Sequence, residues 1–393
     1  MKVYIIGAGC GADTETTAAR RAIEDSQLLI GAKRLLAASA DTKEKVEAVT
    51  AEDIAACLAR RNADRACVLM SGDSGFYSGT RKLLPLLEGH EVHVLPGVSS
   101  LQAFAARLGR PWQDWVLQSA HGVDCDAVWA VCQGKPAFFL TGGRLGPDAL
   151  CRQLRDAGLA QLPVCIGQCL GEAEEQIRRG TAGDFCGESF PPMSVMLAEA
   201  APRSRKRSPG LPDACFLREE RIPMTKQEVR ALALCKLAAG PEDVCWDVGT
   251  GTGSVAIELA LQSRQVWSLD SREAAIRLAE KNRRALGAWN LHLLLGSAPE
   301  ALENLPAPDV VFVGGSDGRL EEILRAAGRA NPRARICVSA ATLETLHVGF
   351  AALESLGYRV EICQVSVSRS RPLGDLHSLA PLNPVFLITG TKP

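Results

Sequence analysis

Asp247-Val248-Gly249-Thr250-Gly251-Thr252-Gly253 decides how the second half of this chain folds. It follows a short apolar run, Val244-Cys245-Trp246, and leads into Ser254-Val255-Ala256-Ile257-Glu258-Leu259-Ala260. That order predicts a buried strand, a glycine turn and a helix. Glycines at alternate positions let a backbone turn tightly and lie flat against a ligand, because no Cβ intervenes. The helix then aims its free N–H groups and positive dipole end at that ligand. A second apolar run, Gln265-Val266-Trp267-Ser268-Leu269, ends at Asp270. This acid stands roughly 20 residues past the first glycine, the offset at which a carboxylate meets a ribose diol.

The spacing separates two cofactors. A dinucleotide fingerprint wants glycine or alanine three positions after its second glycine. Here that position holds Ser254, and the third glycine, Gly253, comes one residue earlier. Asp247, just ahead of the glycines, repels a pyrophosphate and suits the ammonium of a methionine moiety. Asp247, Gly249, Thr250, Gly251, Thr252 and Gly253 with the later Asp270 resemble the S-adenosylmethionine (SAM) site of the Rossmann-like methyltransferases. SAM is the cofactor that resemblance implies.

At 393 residues the chain is long enough for two domains. Hydrophobic content of 47% and charge of 23% are those of a soluble globular protein. A net charge of −1 argues against nucleic-acid or membrane-surface partners. An aromatic fraction of 5% argues against a base-stacking platform. The 14 cysteines are scattered, without a Cys-x-x-Cys pair. They read as small buried hydrophobes of a reducing cytosol, so a cytoplasmic location and no metal site are expected. No apolar run approaches the roughly 20 residues of a membrane span.

The first half alternates apolar runs with helical patterns, an α/β architecture of two small lobes. Strands are predicted at 3–6, 27–30, 44–49, 66–71, 91–95, 115–119, 136–140, 163–168 and 193–199. A first helix runs from Thr14 to about Asp25, capped by Asp13 or Thr14; others fit 51–61, 77–88, 99–108, 147–157 and 172–179. Residues 201–214 carry three prolines and four basic residues, which predicts a solvated linker between a domain at 1–200 and another at 215–393. Beyond it, Thr225 and Glu228 predict a capping box for a helix over 226–238. Strands near 243–247, 265–270, 291–295, 309–313, 333–339, 358–367 and 384–390 make a seven-stranded sheet with a late antiparallel hairpin.

In the first half, Gly7-Ala8-Gly9-Cys10-Gly11-Ala12 satisfies G-x-G-x-x-A, but the next strand ends in Gly31 and Lys33, with no ribose-binding acid. Two further loops, Ser71-Gly72-Asp73-Ser74-Gly75-Phe76-Tyr77 and Leu95-Pro96-Gly97-Val98-Ser99-Ser100, close strands where open α/β sheets bind ligands. The three loops together resemble the tetrapyrrole (uroporphyrinogen/precorrin) methyltransferase family. That resemblance implies a two-lobed domain holding SAM through Gly7, Gly9, Gly11, Gly72, Asp73, Ser74, Ser99 and Ser100. Ser74 stands where proline is commoner. Trp112-x-x-Trp115 and His121-Gly122 resemble the precorrin branch, which makes His121 a catalytic candidate.

In the second half, Pro223-Met224-Thr225-Lys226, the glycine turn, Gly296-Ser297-Ala298-Pro299-Glu300-Ala301-Leu302 and Val313-Gly314-Gly315-Ser316 resemble the decarboxylating precorrin methyltransferases. This adds Thr225, Ser297 and Ala298 to the implied SAM-binding set, with Ser297 replacing the family's aspartate near the adenine. Both resemblances together cover nearly the whole chain. They imply a bifunctional enzyme of cobalamin biosynthesis acting on a tetrapyrrole, with one SAM per domain. The N-terminal domain would methylate C5; the C-terminal domain would methylate C15 and remove the carboxyl of the C12 acetate. Tetramers are common in the C-terminal family, so a homo-oligomer is expected through that domain.

A polycarboxylate substrate calls for local cations, arginine above all. Candidates are Arg221, Lys226, Arg230 and Arg319, and a loop carrying Arg369, Arg371 and, as proton donor, His377. Such a long loop between late strands can cover a pocket. Two other readings stay open at this level: a nucleic-acid methyltransferase with 1–200 as binding module, and a non-catalytic SAM sensor. The first wants a basic face and an Asn/Asp-Pro-Pro-Tyr/Phe loop after the fourth strand, where Val313-Gly314-Gly315-Ser316 stands instead. The second leaves two separate SAM sites unexplained.

Overall fold

The computed structural model describes residues 1–37, 43–61, 63–202 and 210–392. The chain divides into two compact units, Met1–Ala200 and Ala201–Pro393.

In the first unit, β1 (Lys2–Gly7), β2 (Leu28–Gly31), β3 (Glu44–Glu47), β4 (Arg65–Met70) and β5 (Glu91–Leu95) form a parallel sheet in the order β3-β2-β4-β1-β5. Val3, Ile5 and Ile6 of β1 are fully buried, as a near-central parallel strand covered on both faces requires. A second sheet holds β6 (Val116–Ser119), β7 (Ala137–Leu140), β8 (Pro163–Gln168), β9 (Gln176–Thr181) and β10 (Ser194–Ala198), ordered β6-β7-β10-β8-β9. Only β6 and β7 run parallel there; the other pairs are antiparallel.

Three local expectations change. The first helix is Thr17–Asp25, and its cap is Thr16, whose side chain accepts the Ala19 N–H at 3.1 Å. Thr14 is instead drawn back to the glycine loop, donating to Gly11 O at 2.8 Å. The stretch expected as a helix over 172–179 is a turn that enters the edge strand β9 at Gln176, paired antiparallel to β8. Pairing to a hydrogen-bonding neighbour overrides its weak helical pattern. The helix expected over 77–88 is confined to Thr80–Leu83, with a 3₁₀ turn at Leu84–Leu87 around Pro85.

The second unit contains β11 (Val244–Val248), β12 (Gln265–Asp270), β13 (Leu291–Leu295), β14 (Val310–Val313), β15 (Arg335–Ala340), β16 (Arg359–Val365), β17 (Ser368–Leu373), β18 (Leu376–Pro381) and β19 (Val385–Thr391). Seven of them form one sheet, β13-β12-β11-β14-β15-β19-β16, with β19 antiparallel to both neighbours. The remaining two, β17 and β18, pair only with each other. The expected loop around Arg369, Arg371 and His377 is therefore a β-hairpin, turning at Gly374 with φ 57°.

The expected capping box does not form. The helix is Gln227–Leu237, Lys226 is its N-cap, and no side chain of the cap bonds it. Asp213 caps from a distance, accepting the Gln227 N–H at 2.9 Å, while Glu228 is turned to Arg369 (Nε–Oε1 3.0 Å). Within the segment read as a linker, 203–209 lie outside the described residues. Its end is not solvated: Leu211 is in the core, and the Gly210 and Leu211 N–H groups donate to the buried Glu258 carboxylate at 2.5 and 3.0 Å. A buried charge must be compensated, and Arg230 completes the compensation, Nε to Oε1 at 2.5 Å.

Candidate functional sites

The β12-β11-β14 order puts the C-terminal ends of these strands at the point where connections reverse, the place where open α/β sheets bind ligands. A cavity of about 190 Å³ opens there. Its walls include Gly249, Asp270, Ser297, Ala298 and Gly315. Gly251 does not line it. A Cβ on Gly251, at φ 53°, would lie 2.3 Å from Pro223 O. The glycine is thus required by a chain crossing, not by contact with a ligand. Pro223 O also accepts the Thr252 N–H at 3.2 Å, so the entrance segment is laced to the turn.

Asp247 lies beneath the turn, 1% exposed, and is not part of the wall. Its Oδ2 accepts from Ser268 Oγ at 2.7 Å; Oδ1 has no hydrogen-bond partner among the described residues. Burial pushes this carboxyl up to about 6, against the opposing pull of the Ser268 hydroxyl. Thr252 Oγ1 is likewise buried and unpartnered among the described residues. Thr250 and Gly253 sit in the same turn, and Gly253, at φ 79°, precedes the helix Ser254–Ala260. Thr225 is outside the cavity wall, its carbonyl accepting from Arg230 Nη1 at 2.5 Å.

Asp270, 4% exposed, closes β12 and reaches the cavity. It accepts the Gly251 N–H through Oδ2 at 3.0 Å, and the Arg272 N–H and Nε through Oδ1, both at 3.0 Å. Arg272 was not among the sequence candidates. Its signal was its place two residues beyond the acid, within reach of the same carboxylate.

Three of the six candidate cations, Arg230, Arg319 and Arg369, are already held by carboxylates. Arg230 is fully buried and serves Glu258, Asp213 and two carbonyls. Arg319 lies at the cavity but is held by Glu300 (2.7 Å) and Glu322 (2.5 Å), which raise its pKa further. Arg369 bridges Glu228 and Asp213. Lys226 has no carboxylate within bonding distance among the described residues; burial, then Arg218, lowers its pKa. Arg221, in left-handed backbone at φ 68°, is exposed. On the hairpin, Arg371 donates to Ser378 Oγ at 3.2 Å, and exposed His377 stands across from Pro372.

The first unit has its own cavity, about 370 Å³, lined by Cys10, Gly72, Asp73, Ser99, Ser100 and His121 among others. Three loops cross beside it so closely that a Cβ on Gly97 would lie 2.4 Å from both Gly7 O and Gly72 O. Gly9 and Gly72 exchange two backbone hydrogen bonds, at 3.0 and 3.1 Å. Gly7 and Gly9 thus build the crossing, while Gly11 packs against Gly171, whose O would lie 2.1 Å from a Cβ there; none of the three lines the cavity. Asp73 locks the second and third loops, accepting from Gly75 N (2.9 Å) and Gly97 N (3.0 Å). Ser74 is buried and donates to Leu95 O at 3.0 Å. Ser99 caps the helix Ser100–Leu108 in a capping box with Gln102. His121 fits because Gly142 has no Cβ, which would lie 2.0 Å from its Nδ1. Arg34, not foreseen, lines the cavity from beyond β2, donating to Ser71 Oγ at 3.0 Å.

Among the described residues no His/Cys/Asp/Glu group could hold a metal ion, and no helix is long and apolar enough to cross a membrane.

Fold and sites define a fusion of two methyltransferase units, a two-lobed one followed by a Rossmann-like one. Residues 2–186 match the family described as tetrapyrrole (corrin/porphyrin) methylases, and residues 215–392 the precorrin methyltransferase domain. A precorrin-6Y C(5,15)-methyltransferase (decarboxylating) from Sinorhizobium sp is 30% identical over 391 residues, covering 95% of this chain and 92% of the relative. A cobalt-precorrin-6B C(15)-methyltransferase (decarboxylating) from Salmonella typhimurium is 41% identical over 184 residues, 46% of this chain and 95% of the relative. A solved precorrin-6y C5,15-methyltransferase structure from Geobacter metallireducens GS-15 is 36% identical, covers 47% of this chain and 100% of its own, and has a TM-score of 0.45. The chain belongs to the decarboxylating precorrin-6Y C(5,15)-methyltransferase family, SAM-using C-methyltransferases of cobalamin biosynthesis.

Proposed function

We propose that each unit binds its own SAM, that the first methylates C5 of the precorrin ring, and that the second methylates C15 and removes the carboxyl of the C12 acetate. The observation that carries this reading is the pair of glycine-built cavities, one in each unit, at the C-terminal ends of parallel strands.

The residues present fit such a ligand. In the second unit, Asp270 offers a buried carboxylate at the cavity wall for a ribose diol, beside the backbone of Ser297 and Ala298 for the adenine. Asp247 Oδ1 and Thr252 Oγ1 are buried polar atoms without partners among the described residues, just under the turn. In the first unit, Asp73 and Ser99 fix the loops while Ser100 and His121 stay at the cavity. When bound, SAM supplies a sulfonium-activated methyl that needs no protein nucleophile. The chain's work is to hold the ring carbon in line and exclude water. Arg371, Lys226 and Arg221 remain available to pair with the ring's carboxylates, and exposed His377, on the same hairpin as Arg371, would be the proton donor.

We further propose a cytoplasmic enzyme without nucleic-acid partners. A homo-oligomer through the second unit is supported by three exposed hairpin leucines, Leu373, Leu376 and Leu379. The test is mass spectrometry of the precorrin product formed by the full chain with SAM, alongside calorimetric SAM titration. Two added methyls, one carbon dioxide lost and two SAM per chain are expected. One equivalent of SAM, or a single methyl, would overturn the assignment.

A further inference from the structure

Tyr77 ends the loop that carries Asp73 and Ser74, and its backbone sits at φ 48°. For a bulky aromatic residue that conformation is strained, and it persists only where the surroundings over-determine it. They do so here. Asp73 pins the loop to Gly75 N and Gly97 N on one side. On the other side, Ser78 Oγ donates to Ser74 O and pairs with the Thr80 hydroxyl at 2.9 Å.

The strain aims the side chain across the unit. Tyr77 Oη donates to Leu117 O at 3.2 Å, forty residues on, in β6 of the second sheet. The ring stands edge-on to Phe76, with centroids 4.9 Å apart, and Phe76 leans on Phe138 of β7. Burial raises the phenol's pKa, so it stays a donor. Two residues beyond Ser119, where β6 ends, comes His121, on the same cavity as Asp73, Tyr77 and Ser100. Half of Tyr77 remains exposed at that cavity. A single side chain therefore ties the Gly72–Ser74 loop of one sheet to the strand that delivers His121 from the other.

We propose that Tyr77 is a positioning residue for methyl transfer in the first unit, setting the spacing between its two lobes across the cavity. The proposal rests on the reading that this unit carries the C5 reaction. Displacing a wall of such a site by a fraction of an ångström mis-aligns donor and acceptor without abolishing binding of either.

The full chain is compared with Tyr77→Phe, which removes one oxygen, and Tyr77→Ala, which removes the ring. C5 and C15 methylation are resolved by mass spectrometry. For Tyr77→Phe a fall of about tenfold in kcat at C5 is expected, with the KM for SAM, the C15 reaction, carbon dioxide release and Tm unchanged. Tyr77→Ala falls further. Wild-type C5 turnover in Tyr77→Phe overturns the proposal, as does a loss that follows a lowered Tm or weakened SAM binding. A wild-type chain that adds no methyl at C5 ends the underlying reading and takes this proposal with it.

Discussion

Asp270 Oδ2 accepts the backbone N–H of Gly251 at 3.0 Å, so the acid that closes β12 is wired directly into the glycine turn that closes β11. One carboxylate both shapes the turn and faces the cavity. Asp270→Ala removes a charged acceptor from a buried amide, a loss of about 1.5–3 kcal/mol per bond. SAM affinity in the second unit should fall by roughly tenfold or more on that scale. Calorimetry on the full chain should then show one SAM equivalent at the original affinity and one much weaker. Two undiminished equivalents would remove Asp270 from the site.

Asp247 makes a pH prediction with a definite sign. Burial pushes its folded-state carboxyl up to about 6, above the ordinary aspartate value of about 3.9. A carboxylate raised on folding binds more protons in the native than in the unfolded state between those two values. Stability contributed by the neutral form is thus present at pH 4 and is lost as pH rises through 6. The cost of charging this fully buried group is about 3 kcal/mol. Asp247→Asn keeps an acceptor for Ser268 and removes the charge. It should raise the Tm of the second unit at pH 8 and leave it nearly unchanged at pH 4. An equal shift at both values would show that desolvation is not the cause.

Gly315 lines the cavity and Gly251 does not, so substitutions at the two should act differently. Gly251→Ala places a methyl 2.3 Å from Pro223 O in left-handed backbone, so the second unit should lose stability. At Gly315 a new Cβ meets nothing closer than Gly249 Cα at 3.7 Å, ordinary contact. Gly315→Leu should therefore fold normally while crowding the cavity that Gly315 lines. The expected product has one methyl fewer and retains its carboxyl, with C5 methylated as before. An unaltered product, at an unaltered Tm, would place the reaction elsewhere.

The strand, glycine turn, helix and distal acid were legible because each is a local pattern a few residues long. So was the seven-stranded sheet, whose apolar runs lie mostly within a residue or two of the strands formed. Failures came where a distant partner decides. Thr225 and Glu228 have the spacing of a capping box, but Asp213 and Arg369 reach in first. Arg371-Pro372-Leu373-Gly374 reads as loop because proline cannot serve a central strand; in an isolated hairpin its missing N–H costs little. Gly7, Gly9 and Gly11 read as a ligand cradle; what the fold adds is that a missing Cβ lets Gly7 pass Gly97 and Gly72, and lets Gly11 pass Gly171.

Arg230 and Arg371 looked alike in sequence and should behave oppositely. Arg230 is fully buried against Glu258, which is 2% exposed. Removing one partner strands the other charge, at a cost of about 3–5 kcal/mol. Arg230→Met should lower the Tm of the second unit sharply. Combining it with Glu258→Leu should recover part of the loss, because the uncompensated carboxylate is gone, although the Gly210 and Leu211 amides lose their acceptor. Arg371 is exposed on β17, and its only polar contact among the described residues is Ser378 Oγ. Arg371→Ala should leave Tm within error and raise the KM for the precorrin polycarboxylate several-fold, less so in high salt, where screening already weakens such pairing. An unchanged KM at low ionic strength would mean the hairpin does not meet substrate, and would leave its exposed leucines as the stronger clue to its use.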